Sequence, residues 1–311
     1  MATVAPPPDA AGARRAGAAS EALLRRVEFR IAHRLDHVLQ GERLGRRPGP
    51  GGEPSVTRVY EPGDDVRWID WPLTARTRQP MVRVPEMEPV LTAWTLVDCS
   101  PSMRFGSGTQ TKLDVAMEAL AGLAVVLRRR GDRLGVAATR SGELDLVVPP
   151  RGDRRGLVGS LAMVSSLPAP TAPGRTDLVA AVAAMGRVAR HRGAIVVISD
   201  LPPSDALEQA LGSLARRHEL IVVEVRDPRE RELPNLGTVR LRDMETGGTR
   251  LVDTADPRFQ RRFAEVTAER DARRAGLLAR VGARHVVVGT DQDWVLPMAR
   301  ALAGAGRRRW I

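Results

Sequence analysis

One stretch constrains the fold of this chain more than any other: a short apolar run that ends on a carboxylate and continues with alternating hydroxyls. Residues 92–97 form the apolar run that is typical of a buried parallel strand, and Asp98, Ser100 and Ser102 follow with D-x-S-x-S spacing. A carboxylate and two hydroxyls on a tight loop can direct three hard oxygen ligands to one point, which is the chemistry that Mg²⁺ prefers. The alternative is that these side chains only cap the helix predicted over residues 113–127.

Two later stretches extend this pattern. Thr176 lies in the sequence GRTDL just before an Ala/Val-rich helix, and a second β-branched strand, residues 195–199, leads to Asp200. In order and in strand-end position, five residues resemble the metal-ion-dependent adhesion site of von Willebrand factor type A domains: Asp98, Ser100, Ser102, Thr176 and Asp200. The resemblance implies that the hydroxyls bind Mg²⁺ or Mn²⁺ directly or through water, while the aspartates mostly hold the waters of the ion.

The remaining pattern predicts an α/β fold of the von Willebrand factor A (Rossmann-like) type. Strands and helices alternate from residue 91 onwards, which favours a mostly parallel central sheet flanked by helices. Asp98 and Asp200 then lie at the carboxyl ends of strands, where open α/β sheets bind ligands. A hairpin over residues 238–242 and 249–252 is predicted to be an insertion outside the metal site.

The sequence predicts four segments. Residues 1–19 are rich in Ala, Pro and Gly and are expected to be a disordered tail. Residues 20–90 form a smaller N-terminal module of helix and strands, which begins with an amphipathic helix over 20–40. The type A domain covers residues 91–306, and 307–311 are a second tail.

A motif in the N-terminal module combines a turn, several charges and two tryptophans. Its Pro-Gly turn is followed by aspartates that can cap a short helical turn. The motif either fastens the module structurally or forms part of an interaction surface. The residues in question are Gly63, Asp64, Asp65, Arg67, Asp70, Trp71 and Arg76.

The motif Y-x-P-G-D-D-x-R-x-I-D-W-x-x-x-A-R over residues 60–76, followed by the metal loop, resembles a bacterial family, domain-of-unknown-function family fifty-eight. Phe105, Lys112 and the sequence GDRLGV also fit this family, whereas Pro85 and Cys99 depart from it. Members commonly lie beside MoxR-type AAA+ ATPases and are thought to act as their partners. The resemblance therefore implies a MoxR-type AAA+ ATPase as partner, with an acidic residue of that partner completing the metal site.

The formal charge of +11 raises the alternative of a basic nucleic-acid-binding protein. However, Lys112 is the only lysine among 48 basic residues, the arginines are scattered, and aromatic residues make up only 3% of the chain. Nucleic acids are therefore not expected as the main partner. The single cysteine, Cys99, suits a reducing compartment, and no apolar run approaches the ~18 residues of a membrane span, so we expect a cytoplasmic protein without a membrane span.

Several catalytic signatures are missing from the sequence. It contains no phosphate-binding P-loop, no G-x-S-x-G elbow and no dinucleotide-binding glycine motif. A Mg²⁺-dependent hydrolase remains an alternative, because a bound ion can activate water. We expect instead a non-enzymatic, metal-dependent adaptor or scaffold that uses no small-molecule cofactor.

Overall fold

The computed structural model describes residues 10–43, 55–85, 90–170 and 176–303. The chain divides into two compact units, of which the smaller comprises Asp36–Val90 and the larger comprises the rest. The helices of the described residues are α1 (Ala10–Arg43), α2 (Trp71–Thr77), α3 (Lys112–Arg130), α4 (Arg154–Ser165), α5 (Leu178–Val188), α6 (Asp205–Ala215), α7 (Pro257–Arg280) and α8 (Val295–Ala303). The strands are β1 (Ser55–Val59), β2 (Met81–Pro85), β3 (Thr92–Asp98), β4 (Arg133–Thr139), β5 (Leu144–Arg151), β6 (Ala194–Ser199), β7 (Glu219–Arg226), β8 (Thr238–Arg242), β9 (Thr249–Asp253) and β10 (Arg284–Gly289).

The larger unit is built on a six-stranded sheet of order β10-β7-β6-β3-β4-β5. All neighbouring strands in it are parallel except β4 and β5, which form an antiparallel edge. This is the predicted α/β fold, a mostly parallel sheet flanked by helices, and it is von Willebrand factor A-like. After β3 the chain moves to β4 and β5 on one side and then returns to β6 on the other. The carboxyl ends of β3 and β6 therefore border a topological switch point, where such sheets bind ligands.

The central strands are mainly apolar along their length, because helices cover both faces of the sheet. Every residue of β6 is buried, and alternate residues of β3 and β6 contribute to two separate apolar clusters. One cluster includes residues of α1, α3, α4 and α8, and the other includes residues of α5, α6 and α7. Burial on both faces fixes the register of β3 and β6. It thereby fixes where Asp98 and Asp200 lie at the carboxyl edge of the sheet.

The first helix differs from the sequence prediction at its start and in its partners. α1 begins at Ala10, inside the segment 1–19 for which the sequence predicts a disordered tail. Residues 10–19 are mainly alanine and arginine, which are strong helix formers. Leu24, Val27 and Ile31 are buried in the core of the larger unit, so this division differs from the predicted module 20–90. Residues 307–311 lie outside the described part of the chain.

The smaller unit contains an antiparallel pair, β1 and β2, joined by a segment with a 3-10 turn and α2. Ile69 bridges to Val82 of β2, and Asp70 N–H donates to the Met81 carbonyl at 2.8 Å. The segment between the strands is thus tied back onto β2. The 3-10 turn lies where the motif of residues 60–76 predicts a short helical turn, and β2 is a short strand after the motif.

Candidate metal centre

Asp98 ends β3 and is held from two sides. It is buried, its Oδ1 accepts the Ser100 backbone N–H at 2.9 Å, and its Oδ2 accepts the Ser199 hydroxyl at 2.7 Å. Ser100 Oγ lies 3.1 Å from Ser102 Oγ, so the two serines of the loop face each other. The loop therefore brings a carboxylate and two hydroxyls together, as the D-x-S-x-S spacing predicts.

The capping alternative for this loop does not fit the structure. The cap of α3 is Thr111, whose hydroxyl accepts the Asp114 N–H while the Asp114 carboxylate accepts the Thr111 N–H. The 3-10 turn of residues Ser102–Arg104 follows Pro101 and has no side-chain cap. Asp98 and the serines therefore do not cap α3.

Asp200 and Thr176 come to the same end of the sheet. Asp200 directly follows β6, the neighbour of β3, and its charge acts on Asp98. Burial and this charge raise the pKa of Asp98 to about 6, although the hydrogen bonds from Ser100 and Ser199 oppose the shift. We call the convergent set the strand-end site; it comprises Asp98, Ser100, Ser102, Thr176 and Asp200.

The turn after β6 is sharply bent and held by several contacts. Leu201 lies in the left-handed region with φ of 50°, which is uncommon for a residue other than glycine. Its N–H donates to Ser199 Oγ at 3.0 Å, and its carbonyl accepts Arg274 Nε of α7 at 2.8 Å. Ser199 therefore links the Asp98 carboxylate to the turn that carries Asp200.

Asp200 has a buried cationic partner. The Lys112 ammonium, which is fully buried at the start of α3, donates to Asp200 Oδ2 at 2.8 Å and also to Glu230. Burial lowers the pKa of Lys112, but the charges of Asp200 and Glu230 outweigh this effect and leave it raised. The only lysine of the chain thus stays charged and holds one oxygen of Asp200.

Thr176 binds the carboxylate of Glu245, which belongs to the hairpin that the sequence analysis placed outside the metal site. Its backbone N–H and its hydroxyl donate to Glu245 Oε2 at 2.9 and 2.8 Å, and the Ser102 N–H donates to Glu245 Oε1 at 3.1 Å. Glu245 lies in the turn between β8 and β9. The prediction that this hairpin is an insertion outside the metal site is therefore wrong: its turn reaches the site. The turn sequence indicates a bend but not where the bend packs, so the contact was missed.

The donor chemistry of the strand-end site fits a hard divalent cation. Hydroxyl and carboxylate oxygens make up the whole set, which suits Mg²⁺ or Mn²⁺ with water in the remaining positions. Within the described ranges, no group of three or more His, Cys, Asp and Glu side chains is arranged to hold a metal ion. A metal at this place would accordingly depend on the hydroxyls. Cys99 beside it is buried, which raises the pKa of its thiol to about 12 and makes it a poor ligand and nucleophile.

The motif of the smaller unit forms local caps and separate ion pairs. Asp65 accepts the Arg67 N–H at the start of the 3-10 turn and pairs with the Arg67 guanidinium, which is largely exposed. Asp64 accepts the Glu61 N–H at 2.9 Å and pairs with Arg58. The two aspartates therefore pair with two different arginines, and the charges of the motif form separate ion pairs.

Asp70 has the clearest structural role in this motif. Its carboxylate accepts the Leu73 N–H at the start of α2 and pairs with Arg83 of β2 at 2.6 Å. Arg76 lowers the pKa of Asp70 further through its charge, after the larger effects of the Arg83 and Leu73 contacts. Gly63 has φ of 114°, as the turn requires, and Trp71 is 67% exposed. An interaction role for Trp71 stays a prediction.

Comparison with known proteins finds a family model and a curated relative that match most of the chain. Residues 56–273 match the family described as protein of unknown function DUF58. The uncharacterised protein Rv1480 of Mycobacterium tuberculosis is 38% identical over 288 residues, which cover 93% of this chain and 90% of that protein.

Solved structures with low sequence identity match 68–70% of the chain. BatB from Bacteroides thetaiotaomicron has a TM-score of 0.49 at 15% identity and covers 70% of this chain and 100% of its own. The VWA domain of SpRpn10 has a TM-score of 0.38 at 11% identity, with coverages of 68% and 94%. An aerotolerance-related membrane protein from Bacteroides fragilis has a TM-score of 0.44 at 16% identity, with coverages of 68% and 96%.

The predicted cytoplasmic location is contradicted by these structural neighbours, because the Bacteroides fragilis protein is described as a membrane protein. The prediction rested on a single cysteine and on the lack of a long apolar run, and neither observation fixes where a protein works. Among the described helices, none combines the length and the apolar character that crossing a bilayer requires.

Proposed function

The chain belongs to the family described as protein of unknown function DUF58, and from this membership and its type A fold we propose that it binds other proteins through a divalent metal ion at the strand-end site and catalyses no reaction. Family and fold together suggest a role in protein interaction. The metal, the partner and the absence of catalysis are our proposal.

The observation that carries the proposal is the convergence of hydroxyls and carboxylates at a topological switch point. Ser100 and Ser102 face each other, and Ser102 and Thr176 both contact one carboxylate, that of Glu245. Asp98 and Asp200 border the same place from neighbouring parallel strands.

The residues divide into two roles toward the ion. Ser100, Ser102 and Thr176 would hold Mg²⁺ or Mn²⁺ directly or through water, and Asp98 and Asp200 would hold its waters. The hydroxyls are neutral, and Lys112 offsets part of the charge of Asp200. When bound, the ion supplies an electrophilic centre for one further hard anion. A glutamate or aspartate side chain of another protein is the natural anion at that position.

The family resemblance makes a MoxR-type AAA+ ATPase the first partner to test. The experiment is a calorimetric titration of the full chain with the purified ATPase from the same organism, in Mg²⁺ and in EDTA. We expect binding in Mg²⁺, release by EDTA without loss of the fold, and loss of binding in Thr176→Val. Equal affinity in both buffers would contradict the proposal.

The matched control for this titration is Thr267→Val. Thr267 lies on α7, and its hydroxyl donates to the Phe263 carbonyl of its own helix. The same chemical change is thereby made away from the strand-end site. Circular dichroism of both variants separates a lost site from a lost fold.

A further inference from the structure

The hairpin of β8 and β9 carries the carboxylate that reaches the strand-end site. Its strands pair from Thr238 with Asp253 to Arg242 with Thr249, and none of their ten residues is buried. Leu251 is 69% exposed. An element that buries so little apolar surface gains little stability from packing, so its contacts at the base and at the tip decide where it lies.

The base of the hairpin is fastened by a buried threonine. The Thr254 hydroxyl donates to the Gly237 carbonyl at 2.8 Å and accepts the Leu236 N–H at 2.9 Å. These bonds close the base without involving the turn. Release of the tip would therefore leave the hairpin attached and paired.

The tip is shaped to present one carboxylate. Asp243 accepts the N–H groups of Glu245 and Thr246 and the Thr246 hydroxyl, and Gly247 adopts φ of 73°. Glu245 is half-buried, whereas Met244 and Thr246 beside it are exposed. The turn thus directs the Glu245 side chain toward Ser102 and Thr176, while its neighbours Met244 and Thr246 face solvent.

The groups that receive Glu245 select for a carboxylate. Two backbone N–H groups, of Ser102 and Thr176, and the Thr176 hydroxyl donate to its two oxygens. An amide in place of the carboxylate would turn an NH₂ group toward one of these donors and lose the negative charge. The receiving groups belong to residues of the strand-end site, so an acid bound here occupies the position that an acidic partner would need.

We propose that Glu245 is an internal ligand of the strand-end site, and that the partner is a protein with a glutamate in an exposed turn that displaces the hairpin tip. This inference rests on the proposed function, since it concerns the same site. It names Glu245 as the group that competes with the partner and a glutamate in an exposed turn as the group that the partner contributes. The hairpin then sets the affinity of the site: a tethered ligand acts at an effective concentration in the mM range.

The test uses the tip itself as the probe. A fluorescein-labelled peptide of residues 239–252 is titrated with the full-length wild-type chain and with Glu245→Gln, and its anisotropy is followed. Removal of the internal competitor is expected to tighten binding of the peptide by ~10-fold or more. The same peptide with glutamine at the position of Glu245 is expected not to bind.

Two controls keep the test decisive. Glu269→Gln changes an exposed acid of α7 and is expected to bind the peptide no more tightly than the wild type. Adding Thr176→Val to Glu245→Gln removes one donor and is expected to weaken peptide binding, with an unchanged thermal melt as proof of folding. Equal peptide affinity for the wild type and Glu245→Gln, or no binding to Glu245→Gln, would overturn the inference.

The metal requirement is read separately from the same titration. If the peptide prefers Glu245→Gln equally in Mg²⁺ and in EDTA, the internal ligand stands, because its donors are protein groups, and the metal-dependent function fails. If binding needs Mg²⁺ but the wild type and Glu245→Gln bind alike, the function stands and the internal ligand fails.

Discussion

At the scale of single residues, the charge on Lys112 ties the strand-end site to the core. Its ammonium lies fully buried between Asp200 and Glu230, whose side chains are partly exposed. Removal of one partner from a buried ion pair costs more than the pair contributes, because the remaining charge loses its compensation. Asp200 therefore positions the site and also compensates a buried cation, so its removal affects stability as well as metal binding.

We predict that Lys112→Met lowers the free energy of unfolding by about 3 kcal/mol, the lower end for a buried pair because Asp200 and Glu230 retain some contact with water. Chemical denaturation measures the change. In a double-mutant cycle, Glu230→Gln combined with Lys112→Met should cost less than the sum of the single changes. Strict additivity would mean that the two groups do not interact.

At the scale of elements, the decisive contact joins the Ser141-Gly142 turn to the loop that carries Thr176. Gly142 allows the two loops to approach each other closely. Gly142 has φ of 128°, and a Cβ there would lie 2.8 Å from the Asp177 Cβ. The Asp177 N–H donates to the Ser141 carbonyl at 3.1 Å, so the two loops are joined next to Thr176. A side chain at Gly142 would push Thr176 away from the serines.

We predict that Gly142→Ala abolishes binding at the strand-end site, whereas Gly131→Ala does not. Gly131 ends α3 with φ of 81° and has open space around its Cβ position. Both variants should lose about 1–3 kcal/mol of stability from a strained backbone. Titration with the labelled peptide of residues 239–252 measures binding, and denaturation measures stability. Equal loss of binding in both variants would show that global destabilisation is responsible.

The sequence predicts best the elements whose own residue pattern indicates that they are buried. The sequence predicts β3 and β6 because both are mainly apolar runs with an aspartate at or directly after the last residue, and their order along the chain predicts the parallel sheet. Glu245 and Ser199 were missed because their roles depend on contacts far away in sequence, which neither periodicity nor spacing reveals. The sequence analysis does not predict the start of α1, because it treats residues 1–19 as one Ala/Pro/Gly-rich segment. The helix-forming run within that segment begins at Ala10.

At the scale of the whole molecule, a buried charged network joins β7, α7 and β10 behind the site. Glu224 of β7 is buried and contacts Arg226, Arg274 and His285, and Arg274 also holds the turn after Asp200. Burial raises the pKa of Glu224, but the hydrogen bonds of His285 and Arg226 and the charge of Arg274 outweigh it, so the pKa is lowered. The fold thus depends on an ionised glutamate.

We predict a loss of stability in acid that Glu224→Gln removes in part. Since the pKa of Glu224 is lower in the folded state than its ordinary 4.5, it contributes stability above that value. The contribution declines as the pH falls below 4.5 and through the folded pKa. Glu224→Gln should be less stable at neutral pH and should lose less stability in acid. Parallel curves for the two proteins, from denaturation between neutral and acidic pH, would contradict this role.

The central claim is that the strand-end site takes a divalent ion. Mn²⁺ titrated into the full-length chain can be followed by electron paramagnetic resonance, because the signal of the free ion falls as it binds. We predict one site per chain that Mg²⁺ competes for and that is lost in the double variant Ser100→Ala with Thr176→Val. Binding of Mn²⁺ by the wild type and the double variant alike, or no binding by either, would contradict the account.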